Sequence, residues 1–146
     1  MTADVVYAKP LPSIDAVSAG FWSAAREGRF VLYRCDDCGR NYYPATLCTQ
    51  CSSNRPSMRW VDASGKGRLF SWIVMHRLYH PAFETDIPYN IAIVELDEGP
   101  FYMTNLVDCS DQELYSGMPL EVTFERATDD ISLPHFRPAP GRGESQ

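Results

Sequence analysis

The cysteine spacing constrains the fold of this chain more than any other feature. Cys35, Cys38, Cys48 and Cys51 follow the pattern C-x₂-C-x₉-C-x₂-C. Each C-x₂-C turn points two sulfurs at one ion, and two such turns complete a tetrahedral shell of four thiolates. Because protein sulfurs fill that shell, it has no place for a catalytic water, and we predict a structural Zn²⁺ in a zinc ribbon. An iron centre has the same geometry and is an alternative; two disulfides are a third option, although nothing suggests export.

The charge distribution limits the ligands that suit the chain. The 146 residues include 45% hydrophobic and 22% charged residues, as in ordinary globular proteins. The formal net charge of -6 opposes non-specific binding of nucleic acid. The segment from Arg26 to Arg77, however, contains nine Lys or Arg and only four Asp or Glu. This local excess of positive charge suits a compact anionic ligand. With no apolar run near the ~20 residues of a membrane span and no secretory signal pattern, we expect a cytoplasmic protein without membrane contacts.

Downstream of the cysteines, the hydrophobic pattern predicts a small β-barrel. Apolar and β-branched residues suggest strands at 67–77, 89–97, 101–107, 120–125 and 131–136. This number of short strands, with one long connection and a short late helix, favours a five-stranded barrel of the OB type over a sandwich. Upstream, Ser13 or Asp15 is expected to cap a helix that runs to about Glu27, with Phe21 and Trp22 as packing anchors.

These patterns divide the chain into four parts. We expect an N-terminal extension and helix over 1–28, the zinc ribbon over 29–60, the barrel over 61–137 and a disordered tail over 138–146. The predicted fold class is mainly β with an N-terminal helix. The aromatic residues around the cysteines are expected to cover the metal site: Phe30, Tyr33, Tyr42 and Tyr43.

No group of residues in the sequence forms a convincing catalytic constellation. His76 and His80 are four residues apart, but the surrounding pattern is that of a strand leading into a loop, so a second metal site with Glu84 or Asp86 is disfavoured. Cys109 is expected to be a buried or idle thiol, and the chain contains no G-x-S-x-G motif. We therefore predict that the chain alone is not a catalyst.

The ordered set of short motifs resembles a known family. FW-x₃-R-x-G-R-F precedes the first CxxCG, and S-G-x-G-x-L, P-Y-x-I-A-I-V-E-L-D-E-G-P and G-M-P-L-E-V follow the second CxxC. Together they resemble, over about 13–137, the acyl-CoA-associated proteins with a rubredoxin-like zinc ribbon and an OB-fold, once catalogued as a domain of unknown function. The resemblance implies an accessory subunit that helps hold an acyl-CoA thioester. Its partner would be a thiolase-like or lipid-transfer-type thiolase, an aldolase, an acyltransferase or a MaoC-type enoyl-CoA hydratase.

Candidate residues for these roles come from the basic half and the exposed aromatics. Coenzyme A needs cations for its phosphates and an apolar slot for adenine, for which the candidates are Arg40, Arg55, Arg59, Lys66, Arg68 and Trp72. Partner contacts are predicted for aromatic side chains, which are enriched in binding hot spots: Phe21, Trp22, Tyr79, Phe83 and Tyr89. Each aromatic also fits simple core packing. A single-stranded nucleic-acid module is the rival function, which the aromatics permit and the net acidity opposes.

Overall fold

A computed structural model describes residues 9–43, 48, 50–51 and 57–139. The helix α1 spans Ala19–Arg26, so it begins later than the sequence predicts. The Asp15 carboxylate accepts the Ser18 N–H at 2.8 Å, the hydrogen bond of a capping residue, and closes a turn at 16–18 that leads into the helix. The helix ends before Gly28, whose φ of 81° is readily adopted only by glycine. Among the described residues, no helix is both long and apolar enough to span a bilayer.

A three-stranded antiparallel sheet forms the frame of the ribbon. Its strands are β1 (Val31–Cys35), β2 (Asn41–Tyr42) and β3 (Met58–Asp62), in the order β2-β1-β3. Tyr33 pairs with Tyr42 on one side of β1, and Cys35 pairs with Met58 on the other. The central strand thus ends at the first metal-ligand candidate.

The second sheet has the five strands that the sequence predicts for the barrel. They are β4 (Lys66–Met75), β5 (Tyr89–Leu96), β6 (Phe101–Thr104), β7 (Pro119–Arg126) and β8 (Ser132–Pro138), in the antiparallel order β6-β5-β4-β7-β8. A 3₁₀ turn at Asp111–Glu113 takes the place of the short late helix. Residue 138, where the predicted tail begins, lies in β8, and 140–146 lie outside the described residues.

The five-stranded sheet curls until its two edges approach one another. Leu106, just beyond β6, forms a parallel bridge with Phe136 of β8. The Val107 N–H donates to the Phe136 carbonyl at 2.9 Å. The expected strand 101–107 therefore pairs with β5 only as far as Thr104, because the chain then turns towards β8.

One hydrophobic core joins the helix, the ribbon and the barrel. Phe30, next to β1, stacks edge-on against Tyr102 and Phe136 at ring distances of 5.3 and 5.8 Å. Phe21 packs on Phe30 at 5.9 Å and is 1% exposed, while Trp22 is 8% exposed. The helix turns both rings into this core, as expected of packing anchors, and their burial argues against the alternative assignment of Phe21 and Trp22 as partner contacts. The limits of the four predicted parts stay predictions.

Candidate metal centre and ligand cleft

The four ribbon cysteines meet at one point, as their spacing predicts. Their sulfurs all lie within 4.8 Å of one another. The Cys35–Cys51 and Cys38–Cys48 sulfur separations are 3.5 and 3.4 Å. Four sulfurs around one Zn²⁺ at about 2.3 Å stand roughly 3.8 Å apart, so the donor set fits a tetrahedral thiolate site after a small adjustment. The residues present thus suit a structural zinc.

The local backbone explains how the first pair of cysteines is presented. Cys35 ends β1, and its carbonyl accepts the Gly39 N–H at 2.7 Å, which closes the turn around Cys38. Gly39 has a backbone φ of 78°, a value that residues with a Cβ avoid. The Cys35 N–H donates to the Arg40 carbonyl at 2.9 Å and ties the turn to the strand.

The surroundings of Cys48 favour the thiolate form of its side chain. Burial favours the neutral thiol of Cys48, but the Tyr42 hydroxyl, 3.1 Å from its sulfur, and nearby backbone N–H groups lower its pKa to about 6. Tyr33 and Tyr42 pack against the cysteine cluster, as predicted. Phe30 and Tyr43 instead belong to the main core, because they lie on the side of β1 and β2 that meets the barrel.

A second candidate site is a cleft of about 640 Å³, whose lining includes none of the four ribbon cysteines. Its walls come from the N-terminal segment at Lys9, the β4–β5 connection at Phe83, the start of β5 at Tyr89, the stretch after β6, and the neighbouring parts of β7 and β8. Phe83 stacks on Tyr89 at a ring distance of 5.3 Å. Three of the aromatics proposed as partner contacts therefore line this cleft: Trp22, Phe83 and Tyr89.

Asn90 organises the floor of the cleft. Its side-chain amide donates to the Leu106 carbonyl at 3.0 Å, and its amide oxygen accepts the Leu106 N–H at 2.6 Å. The side chain thus replaces a strand partner for Leu106, at the point where the chain after β6 no longer pairs with β5. This residue is absent from the candidates named from the sequence, although a polar residue at an inward position of an otherwise apolar strand is a usable signal.

The charged side chains of the cleft are mostly acidic. Lys9 forms an ion pair with Asp86 and lies 5.3 Å from the centre of the Phe83 ring. The His135 Nε2 lies 2.8 Å from a Glu125 carboxylate oxygen. Asp111 adds a further carboxylate to the lining. This balance disfavours phosphate groups and suits an uncharged ligand with amide or apolar groups.

The cations proposed for coenzyme A lie elsewhere, and most have carboxylate partners. The shortest N–O separations are 2.8 Å for Arg59–Asp36, 3.8 Å for Lys66–Glu121 and 3.9 Å for Arg68–Glu95. Arg40 has no such partner among the described residues, and it lines a groove of about 360 Å³ between the ribbon and the β5–β6 turn. Arg55 lies outside the described residues.

The other singled-out side chains occupy varied positions. Trp72 points inward from β4 and packs against the main core, which argues against an adenine slot at that residue. Tyr79 is exposed in the β4–β5 connection with the Arg77 guanidinium 5.3 Å from its ring centre.

His80 accepts the Ala82 N–H through Nδ1 at 3.1 Å and so caps a turn. The pKa of the Cys109 thiol is raised mainly by burial and to a smaller extent by nearby carboxylates, of which Glu113 has the largest effect. In the described parts of the chain, the side chains grouped closely enough to hold a metal are the four ribbon cysteines.

Two family models match most of the chain. Residues 22–56 match the ChsH2 rubredoxin-like zinc ribbon domain, and residues 60–125 match the ChsH2 C-terminal OB-fold domain. A solved structure, the "Ltp2-ChsH2(DUF35) aldolase", aligns with a TM-score of 0.77 and 37% identity, covering 88% of this chain and 98% of that one.

Relatives differ in length. A "DUF35 domain-containing scaffold protein" of Methanocaldococcus jannaschii is 36% identical over 80% of this chain and 82% of its own length. A "Probable enoyl-CoA hydratase alpha subunit" of Thermomonospora curvata is 38% identical over 94% of this chain, which spans only 42% of that longer protein. The "3-oxo-4,17-pregnadiene-20-carboxyl-CoA hydratase alpha subunit" of Mycobacterium tuberculosis is 28% identical, and 35% of its length is matched.

Proposed function

Since this chain belongs to the ChsH2 family of proteins with a rubredoxin-like zinc ribbon and an OB-fold, we propose that it is an accessory subunit for acyl-CoA chemistry. Its partner is a larger enzyme of the thiolase-like, aldolase or acyltransferase type. The small subunit completes the complex and helps position the acyl-CoA, while the partner supplies the reacting groups.

The observation that carries this proposal is the likeness to the Ltp2-ChsH2(DUF35) aldolase structure. The match covers 98% of that chain at 37% identity, so both the ribbon and the barrel are shared. The name of that aldolase pairs the ChsH2 domain with a second protein, Ltp2. The scaffold name of the archaeal relatives supports a role in assembly.

The metal centre supports a structural role for the ribbon. Four thiolates would hold the ion and leave no coordination position for a substrate or water. The metal would stabilise the turns that link β1, β2 and β3. Any reaction in the complex would therefore use groups outside this shell.

The charges of the described residues support two separate contacts with the thioester. Arg40 is the candidate cation best suited to a coenzyme A phosphate, because Arg59, Lys66 and Arg68 already face carboxylates. The acidic cleft near Tyr89 suits an uncharged portion of the ligand instead. Tyr79, Phe83 and Tyr89 are the predicted aromatic contacts that are not part of the main core.

A hydratase is the second candidate partner. Two relatives carry the name of a hydratase alpha subunit, and this chain matches 42% and 35% of their lengths. A MaoC-type hydratase partner would add water to an enoyl-CoA, whereas an aldolase partner would cleave a β-hydroxyacyl-CoA into a carbonyl compound and a shorter acyl-CoA.

The test compares the purified chain, each candidate partner from the same host, and their mixtures. Each sample is assayed with an enoyl-CoA for hydration and with a β-hydroxyacyl-CoA for cleavage. We expect turnover only with a partner present, and greater activity or stability of the mixture than of the partner alone. Substantial turnover by the chain by itself would overturn the proposal. A partner that gains nothing from the chain in either assay would count against it.

A further inference from the structure

The outward face of β4, β5 and β6 is apolar although it lies on the surface. Outward positions form cross-strand pairs of Ile73 with Ile91 and of Ile93 with Met103. Phe101 lies at the start of β6, with its ring 4.8 Å from that of Phe70. We call this set the outer sheet face: Phe70, Ile73, Ile91, Ile93, Phe101 and Met103.

A β-bulge determines which side chains of β4 reach this face. The β4–β5 register shifts between Leu69 and Ser71, so that Leu69 and Trp72 pair with the inward residues Val94 and Ala92. Phe70 is the extra residue and is placed outward beside Phe101. Without the bulge, Ile73 would have the same inward direction as Leu69. The irregularity therefore turns Ser71 and Ile73 outward and Trp72 inward, so that Ile73 joins Phe70 on the outer face.

The exposed area of this face is that of an interaction site. Phe70, Ile73, Phe101 and Met103 are 54, 55, 49 and 67% exposed. Together they present on the order of 400 Å² of side-chain surface, estimated from typical side-chain areas. This value lies within the range of the largest functional patches on monomeric proteins, and it is about half of what one partner contributes to a standard interface.

The charges around the face exclude a charged ligand. The nearest outward charged pair on these strands is Arg68 with Glu95, 3.9 Å apart, and the two compensate each other. A polyanion would find no cation within the apolar set. The face therefore fits a flat apolar surface of another protein.

The outer sheet face is also continuous with the mouth of the large cleft. Met103 belongs to the face and lines the cleft, and Tyr89, the outward residue at the start of β5, lines it as well. A protein seated on the face would therefore form a further wall of the cleft. The cleft and the face then belong to one composite site.

We propose that the outer sheet face docks the larger acyl-CoA enzyme subunit and that this subunit closes the side of the cleft at Tyr89 and Met103. This inference rests on the proposed function and adds the surface through which it is exerted. A different protein is favoured over a second copy because the matched segment is 42% and 35% of two longer relatives. In those chains the same fold adjoins a larger polypeptide rather than standing alone.

The test measures binding of the full chain to the purified thiolase-like or hydratase subunit that the function assay identifies. Ile73→Arg and Met103→Arg each place a charge at the centre of the face. We expect each to weaken binding about 100-fold or more, the range of central hot-spot residues. Tyr115→Arg is the matched control, because Tyr115 is 53% exposed but lies outside these strands. Zinc content and circular dichroism establish that each variant is folded.

Hydrogen exchange of the wild-type complex gives a second measurement without substitutions, with new protection expected in β5 and β6. Unchanged binding by both face variants, with a working wild-type complex, would overturn the docking surface and leave the proposed function standing. Failure of the wild-type chain to bind either enzyme would overturn both. A dimer of the chain that Ile73→Arg disrupts, together with enzyme binding that it does not change, would identify a second copy as the occupant and refute the proposal.

Discussion

Replacement of Asn90 by alanine tests how the barrel is closed. Asn90 is 7% exposed and Leu106 is 4% exposed, so the hydrogen bonds between them are shielded from water. The neighbours of Leu106, rather than Leu106 itself, supply the backbone hydrogen bonds to Phe136. Asn90→Ala would therefore leave both the N–H and the carbonyl of Leu106 without their present partner.

The expected loss of stability follows from these two groups. A buried polar group without a partner costs about 1–3 kcal/mol. Because removal of the amide would open these two groups to water from the adjacent cleft, we expect a total near the lower end, about 2–4 kcal/mol. For a chain of this size that corresponds to a fall in Tm of roughly 6–12 °C.

The assay is urea unfolding of zinc-loaded protein, with Thr104→Val as the control. Thr104 is 8% exposed, and its hydroxyl makes longer hydrogen bonds of 3.2 and 3.3 Å to the carbonyls of Asn105 and Pro134. The control should cost less than about 1 kcal/mol. An Asn90→Ala variant as stable as Thr104→Val, with an unchanged urea m-value, would refute the idea that this amide closes the barrel.

Two further predictions concern the metal and the ligand. Freshly purified, reduced protein should contain about one zinc per chain, and Cys38→Ser should lower both zinc content and solubility because metal binding is coupled to folding; elemental analysis that finds no metal in folded wild-type protein would contradict the zinc ribbon. In the assembled complex, Arg40→Glu should raise the apparent KM for acyl-CoA and its salt sensitivity more than Arg59→Glu does, since Asp36 already neutralises Arg59 at 2.8 Å. Equal and unchanged KM values for both variants would place the coenzyme A phosphates on the partner alone.

The parts of the protein that depend on local spacing could be predicted from the sequence. The C-x₂-C turns need only four residues each, so the meeting of Cys35, Cys38, Cys48 and Cys51 follows from their spacing. Alternating apolar residues likewise predict β7, and the run of β-branched and apolar residues predicts β5, because both patterns are local properties of a strand. The fold class followed from these patterns, whereas the family was indicated by the resemblance of the ordered set of short motifs.

Properties that depend on distant contacts could not be predicted in this way. Phe21 and Trp22 resemble exposed anchors in the sequence, but the side they present depends on where α1 docks. In the sequence, Arg59 and Arg68 are candidates to bind an anionic ligand, but in the structure Asp36 and Glu95 form ion pairs with them.

The composite site was decided only by the tertiary structure. The bulge at Phe70 reverses the alternation of β4 and turns Ile73 outward, a change that the residue types in the strand do not predict. Asn90 acquires its role because the curled sheet brings Leu106, sixteen positions along the chain, within hydrogen-bond distance. A sequence pattern specifies which face of a strand is apolar, whereas sheet register and curvature determine whether that face becomes core, cleft or docking surface.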